Sequence, residues 1–520
     1  MIPILRKEGC IIKKYILVHD LGTTGNKASL YDEKCGLVSS SYYPYKTYYP
    51  HPGWAEQNPL DWWKAVRITT PRVLSEGKVS PQQIACVTFS GHMFGCIPVD
   101  RAGNLVRELA PLYFDQRSQK QAQQLRERIG QEKGYQITGN PFGAEYPAAK
   151  IMWIKENEPE VFRNTSKFLP TKDYIILRLT GKYVTEYSDA SGMNLLDIRQ
   201  RIWSEEILQA SNIPRQMLPE LHSSTDIAGK LEKEPAREIG LVAGIPVVLG
   251  GADVCCAGAG AGVIREDTFY LSMCSAFWIG LASKNPLYDP KQRILNLCHL
   301  PPQTLMVICN TYSGGLCYQW VKENLCQTET RAAEQAGVDP YQIMDLKASR
   351  VKPGSQNLIF LPYMRGDVVP YSNPRARGVF IGLSLAHRKE HLIRAALEGI
   401  SLNLKTNLEI LEAQGANIRE IRVIGGGAKS KLWRKLIADV FNKRILRPSV
   451  LQEATSLGAA VAGAIGVGIF KDFDSAEKLV KIMEVEEPCE KTHQKYQRMF
   501  SVFKKAYDQL VPIFDELTLL

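Results

Sequence analysis

The chain of 520 residues has no uninterrupted apolar run of the roughly 18–20 residues that a membrane-spanning helix needs, so no membrane partner is expected. The segment Val461 to Phe470 is short and glycine-rich and reads as a buried helix. Basic residues are not gathered into a run either: the net charge of +10 comes from Lys and Arg interleaved with 54 acidic residues. That dispersion argues against nucleic acid and for a small anionic ligand beside ordinary surface lysines. The twelve cysteines follow no regular framework, and Cys86, Cys96, Cys255 and Cys256 sit in apolar runs. A reducing compartment is implied, by default the cytoplasm. His387 and His391 can share a helix face, but no further Cys or carboxylate stands at zinc spacing, so they read as a solvated or packed pair. Met1 to Lys14 lacks a sustained apolar segment and a small-residue cleavage site, and reads as an N-terminal extension, residues 1–14. Neither the full P-loop pattern nor the full dinucleotide glycine fingerprint occurs.

What is present is a pair of Asp-plus-glycine loops. In the first, an apolar strand from Tyr15 to Val18 leads to His19-Asp20-Leu21-Gly22-Thr23-Thr24-Gly25, and a second strand runs from Ala28 to Tyr31. Glycines let backbone N–H groups approach an anion, and the threonines add hydroxyl donors. The hairpin tip can hold phosphates, with the Asp20 carboxylate available to magnesium directly or through water. A turn with a buried, structural Asp is the alternative.

In the second loop, the strand Pro246 to Leu249 exits through Gly250 and Gly251 to Asp253 and a run of small residues ending at Gly262. An acidic side chain there can take a proton from a substrate hydroxyl as that oxygen attacks a phosphoryl group. Asp253 is the candidate base; the competing reading is an Asp that caps the helix after it. A second hairpin of the first kind is predicted downstream, with strands Thr268 to Met273 and Phe277 to Leu281 about a Cys274-Ser275-Ala276 turn. One such hairpin per half predicts a duplicated architecture with nucleotide in the cleft between two domains. Gly425-Gly426-Gly427, between the strand Ile421 to Ile424 and the helix Leu432 to Phe441, either faces adenine or ribose or is a simple strand-to-helix turn.

With these residues assembled, the chain resembles the FGGY family of carbohydrate kinases from about Tyr15 to about Gly468. The first loop is similar to the family's Asp-x-Gly-Thr motif. Trp54-Ala55-Glu56-Gln57 with Asp61-Trp62-Trp63, Asp115-Gln116-Arg117, Lys150 to Ile154 with Glu156-Asn157, and Ser188-Asp189-Ala190-Ser191 resemble further segments. The later signature, Gly378 to Leu383 followed by His391-Leu392 and Ala395-Ala396-Leu397-Glu398, has the family's spacing. Tyr312 to Gly315 with Gln319-Trp320, and Gly425 to Ala428 with Trp433 and Asp439, resemble its ATP-binding segments.

The resemblance implies an α/β fold of two actin-like, ribonuclease-H-like domains about an interdomain cleft. Residues 15–264 would bind sugar and supply the base, and residues 265–520 would bind ATP. It gives Asp253 the role of general base with a share of the metal, and Asp20 a share in holding Mg2+. Gly22, Thr23, Thr24 and Ser275 would bind ATP phosphates; Gly315, Gln319 and Gly427 would line the nucleoside pocket. It also implies a homodimer as the assembly to test, with no segment that identifies an interface.

Overall likeness is greatest to xylulokinases, so D-xylulose is the expected substrate, with ribulose, another ketose or a polyol such as erythritol as alternatives. Two departures matter. Where xylulokinases carry Gln-Met-His-Gly in the sugar pocket, this chain has His92-Met93-Phe94-Gly95, and a phenyl ring cannot donate a hydrogen bond. Either His92 compensates or another sugar is preferred; Met93 and Phe94 can equally be core residues. Met273-Cys274-Ser275 replaces the common Gly-Thr-Ser, which keeps open an actin-like ATP-binding sugar sensor with little phosphoryl transfer. The segment Glu477 to Leu520 reads as largely helical, with Tyr496, Phe500, Phe503 and Tyr507 facing a core.

Overall fold

The computed structural model describes residues 13–311, 313–367 and 369–518; the expected extension 1–14 lies outside them apart from Lys13 and Lys14, as does Tyr312. Two seven-stranded sheets organise the chain. The first contains β1 (Tyr15–Leu21), β2 (Gly25–Asp32), β3 (Leu37–Pro44), β4 (Ile84–Gly91), β5 (Ile227–Lys230), β6 (Pro246–Val248) and β7 (Gly251–Ala252). Its order is β5-β6-β4-β1-β2-β3, with β7 beside β4. The second contains β8 (Thr268–Met273), β9 (Phe277–Ser283), β10 (Leu295–Cys298), β11 (Leu305–Thr311), β12 (Glu420–Ile424), β13 (Arg444–Pro448) and β14 (Ile482–Glu486), in the order β10-β11-β9-β8-β12-β13-β14.

The two sheets repeat one pattern. β1 pairs antiparallel with β2 and parallel with β4, as β8 pairs antiparallel with β9 and parallel with β12. Each therefore has an antiparallel hairpin flank and a parallel centre, and ligand sites in such sheets form outside the carboxyl ends of the parallel strands. Both central strands are buried along almost their whole length, which is why they read as continuous apolar runs rather than as alternating ones.

Two readings of the sequence change in detail, and the histidine pair packs as one of its expected forms. The first hairpin is longer than expected: Asp20 stands within β1 opposite Lys27, and the turn is confined to Gly22–Thr24. The segment after Glu477 includes an edge strand, β14, before its long helix Glu490–Leu517, whose Tyr496, Phe500, Phe503 and Tyr507 are buried as expected. His387 and His391 pack edge to face with ring centroids 5.5 Å apart.

The halves are locked by two helices of small residues. Asp253–Gly260 follows β7, and Ala454–Gly466 follows β13 of the second sheet yet packs against β1 and β4 of the first. A Cβ on Gly260 would lie 1.7 Å from the Ala454 carbonyl oxygen, and one on Gly458 1.9 Å from that of Cys256. Only glycine permits so close a crossing. Tyr31 and Ser456 share a hydrogen bond of 2.8 Å across the same junction.

Candidate active site

Strand register assembles the first half of the site. Asp20 of β1 stands opposite Ser90 of β4, which stands opposite Gly251 of β7; one residue on, Leu21, Gly91 and Ala252 align. The three strands thus end together, and the next residues out are Gly22, His92 and Asp253. Residues separated by more than two hundred positions are placed side by side by pairing alone.

Asp253 is the first residue of its helix, not the cap that precedes it. Its carboxylate accepts the N–H of the adjacent Val254 at 2.8 Å, a first-turn amide, so the side chain also serves the helix N-terminus it begins. Burial pushes the carboxyl up to about 7, and the negative charge of Asp20 adds to the rise. Asp20 itself is pushed up by burial, with Lys27 and the neighbouring Ser90 hydroxyl pulling the other way. The two carboxylates act on each other across the strand ends.

The turn after Asp20 is closed by a bond from Gly22 N–H to Gly25 carbonyl at 3.0 Å, so the Gly22 amide is engaged within the loop. Thr23 and Thr24 remain as its outward-facing residues, with Thr24 exposed. Beneath them, Gln57 donates to the Thr23 carbonyl at 2.7 Å and accepts from the Trp62 indole at 2.8 Å. The Trp-Glu-Gln and Asp-x-Arg segments are a brace rather than a binding surface. Arg117 lies 3.6 Å over Trp54, pairs with Glu56 at 2.6 Å, and pairs with Asp115 at 2.7 Å, while Asp115 takes the Ala55 N–H at 2.7 Å.

The residues His92, Met93 and Phe94 part company. His92 is buried, held neutral with its ring pushed down to about 4 by burial, and its Nε2 meets no partner. Met93 belongs to the core packed around the crossing helices. Phe94 is half-buried with positive φ and sets its ring edge-on to Tyr146 at 4.9 Å, its carbonyl held by the buried Lys150 at 2.9 Å. Two residues that the sequence reading missed join this side. Tyr113 lies among Thr23, Asp253 and Arg365, the last reaching over from the second half. The Tyr113 signal was its place two residues before Asp115; Arg365 had none.

The second half repeats the construction. Ser272 of β8 stands opposite Ile424 of β12, so Met273-Cys274-Ser275 and the triple glycine leave the sheet side by side. The Cys274 and Ser275 carbonyls accept the N–H groups of Gly315 and Leu316, at 3.2 and 3.1 Å, which seats the helix Gly315–Leu325 on the hairpin tip. Ser275, Gly315, Gln319 and Gly427 line one cavity of about 470 Å3, walled by Phe277, Tyr318, Tyr341 and Trp433. Cys274, an exposed residue of its lining, lies within electrostatic reach of Asp20 and Asp253. The later signature is structural: Glu398 is buried and binds Gly354 N–H, the Ser355 hydroxyl, Arg394 and Tyr496, each at 2.8 Å.

Comparison with known proteins follows the same outline. The N-terminal domain of the FGGY family of carbohydrate kinases matches residues 15–260, and the C-terminal domain matches 275–467. A xylulose kinase of Lactococcus lactis is 33% identical over 506 residues, covering 97% of this chain and 98% of its own. A gluconokinase of Bacillus subtilis is 31% identical over 493 residues, 94% of each chain. Among solved structures, a ligand-bound xylulose kinase and a gluconate kinase, both from Lactobacillus acidophilus, superpose with TM-scores of 0.87 and 0.88 at 27% and 26% identity. Each covers 97% of this chain and 100% of its own.

Proposed function

Since the chain belongs to the FGGY family of carbohydrate kinases, we propose that it moves the γ-phosphoryl group of ATP to a hydroxyl of D-xylulose. The observation that carries this reading is Asp253, set at the joined strand ends beside Asp20 with its carboxyl near 7. Its carboxylate takes the proton of the attacking hydroxyl, and that oxygen forms a bond to the γ-phosphorus as the bond to the β-phosphate oxygen breaks, releasing ADP. Thr23, Thr24 and Ser275 hold phosphate oxygens in line. Gly315, Gln319 and Gly427 hold the nucleoside, with residues 265–520 as the ATP half and 15–264 as the sugar half.

Among the described residues no three His, Cys, Asp or Glu side chains gather as a metal cage. Asp20 and Asp253 fit a hard dication that keeps most of its shell as water and phosphate oxygen. Magnesium bound there supplies neutralisation of phosphate charge during transfer. The eleven cysteines among the described residues are all free thiols, nine of them buried, which supports a cytoplasmic setting.

D-Gluconate is a second reading. Relatives named for gluconate match as well as those named for xylulose, and Arg365, exposed in the cleft near Tyr113 and Asp253, offers a cation to a sugar acid. The deciding experiment is ADP release from magnesium-ATP with D-xylulose, D-ribulose, erythritol, D-gluconate or no sugar, with Asp253→Asn alongside. Turnover with D-xylulose that is lost in Asp253→Asn supports the proposal. Turnover with D-gluconate instead, weakened in KM by Arg365→Ala, supports the second reading. ATP binding without turnover on any sugar returns the protein to the role of a sensor.

A further inference from the structure

Two polar groups in the cavity around Ser275, Gly315, Gln319 and Gly427 are satisfied by no protein atom. The Tyr318 hydroxyl, on a side chain 4% exposed, and one carboxylate oxygen of Asp345 are both buried without a hydrogen-bond partner. Both residues line the cavity. Buried polar groups are ordinarily paired, so a pair of orphans facing one space marks a place where a ligand completes the bonding.

The surroundings say which part of a ligand. Tyr318 stacks on Tyr341 with ring centroids 5.4 Å apart and meets Trp433 edge to face at 5.2 Å, and Trp433 in turn lies 5.3 Å from Phe277. Flat aromatic walls suit a planar base, which can bury both faces against them. Tyr318 stands three residues along the helix from Gly315, one turn beyond the hairpin tip where phosphates would sit. Asp345 is the charged group that acts most strongly on Tyr318, so the two orphans are neighbours. Ser430 accepts the Trp433 N–H at 3.0 Å, which leaves its own proton for the Asp345 side.

We propose that Tyr318 and Asp345 read the nucleotide base as adenine, Asp345 accepting from the exocyclic amino group and the Tyr318 hydroxyl donating to the adjacent ring nitrogen. The inference rests on the nucleotide reading of this cavity. A 6-keto purine reverses the pattern: its oxygen would face the carboxylate, two acceptors without a proton between them. A site built to bond one pattern rejects the other through the groups it leaves unpaired.

The test is kcat/KM for ATP, ITP and 2′-deoxyATP in the wild-type protein, Asp345→Asn, Tyr318→Phe and Gly427→Val, with ADP and IDP affinities from tryptophan fluorescence. Wild type is expected to favour ATP over ITP by on the order of tenfold or more, and Asp345→Asn, whose amide can donate to a keto oxygen, to lower that ratio about tenfold. Its ratio of ATP to 2′-deoxyATP should stay as in wild type. Tyr318→Phe keeps the stacked ring and should weaken ADP and IDP alike. A wild type indifferent between ATP and ITP overturns the proposal, as does an Asp345→Asn effect on 2′-deoxyATP in place of ITP, which would assign the carboxylate to ribose. Gly427→Val crowds the nucleoside side of the cavity, where even a Cβ comes within 3.1 Å of Met273. If it leaves ADP binding intact, the nucleotide reading itself fails; if it abolishes binding while Asp345→Asn keeps the wild-type ATP-to-ITP ratio, only the base-reading assignment falls.

Discussion

The Ser188 hydroxyl accepts the Ala252 N–H at 2.9 Å and donates to the Glu186 carboxylate at 2.7 Å, so the backbone that presents Asp253 is pinned from the preceding domain segment. Ser188 touches neither nucleotide nor sugar in the proposed reaction; it is a positioning residue. Ser188→Ala leaves a buried amide unpaired, a cost of about 1–3 kcal/mol. We expect a kcat lower by on the order of tenfold through displacement of Asp253, with the KM for ATP nearly unchanged. Steady-state kinetics separate the two, and Ser188→Thr, which keeps the hydroxyl, should recover most of the rate. Equal loss in both parameters would mean general unfolding instead.

The raised Asp253 carboxyl sets a pH dependence. The base works only when ionised, so kcat/KM should climb with unit slope as pH rises toward about 7 and level off above it. Stability runs oppositely. A carboxyl held above its unfolded value binds its proton more tightly in the fold, so its contribution is full below about pH 4 and disappears as pH passes about 7. Asp253→Asn should therefore melt higher than wild type at pH 8 in the absence of magnesium, and no higher at pH 4. A flat rate profile, or a lower melting temperature at pH 8, would sink this assignment.

Lys172 is wholly buried against three carboxylates, Asp173 at 2.6 Å, Asp189 at 3.1 Å and Glu186 at 3.5 Å. Removing the only cation of that set leaves uncompensated buried charge, for which about 3–5 kcal/mol is the usual penalty. Lys172→Met should lower the urea midpoint accordingly. Because burial holds Asp189 and Asp173 above the ordinary carboxylate range, the deficit should widen as pH rises and those groups are forced to ionise. A pH-independent deficit would show that lost packing, not charge, is responsible.

The crossing of the two small-residue helices tolerates no side chain. Gly458→Ala would place a methyl carbon 1.9 Å from the Cys256 carbonyl oxygen, so the helices must separate. Overpacking of this kind costs typically about 1–3 kcal/mol, and here it also changes the angle between the halves. We expect a lower melting temperature and an altered scattering profile with ATP present. Gly468→Ala, with no atom within 4 Å of its added carbon but a positive φ, should cost only backbone strain and leave the scattering profile alone.

The two hairpins, the acid after the Gly250-Gly251 turn and the division into two sheets were legible in the sequence because each rests on local patterns. An apolar strand, a glycine turn and an acid occupy consecutive positions, and short-range backbone chemistry fixes what they form. The same locality exposed the departures at Phe94 and Cys274. Motif content alone did not reveal that Glu398 and Arg117 serve as buried hubs, since a charge that braces a loop and one that binds a ligand look alike in a linear string.

Tertiary structure decided everything that depends on which strand lies beside which. Asp20, Ser90 and Gly251 come into line only through β-sheet register, and Asp253 acquires its raised carboxyl only because folding buries it beside Asp20. The brace under Thr23, the clasp of Ser188 on Ala252, the arrival of Arg365 from the other half and the orphaned Tyr318 and Asp345 are all long-range encounters. Sequence determined the elements and their chemistry, because backbone preference and hydrophobic pattern act over a few residues. The fold decided electrostatics and specificity, because burial and proximity are properties of residues far apart in the chain.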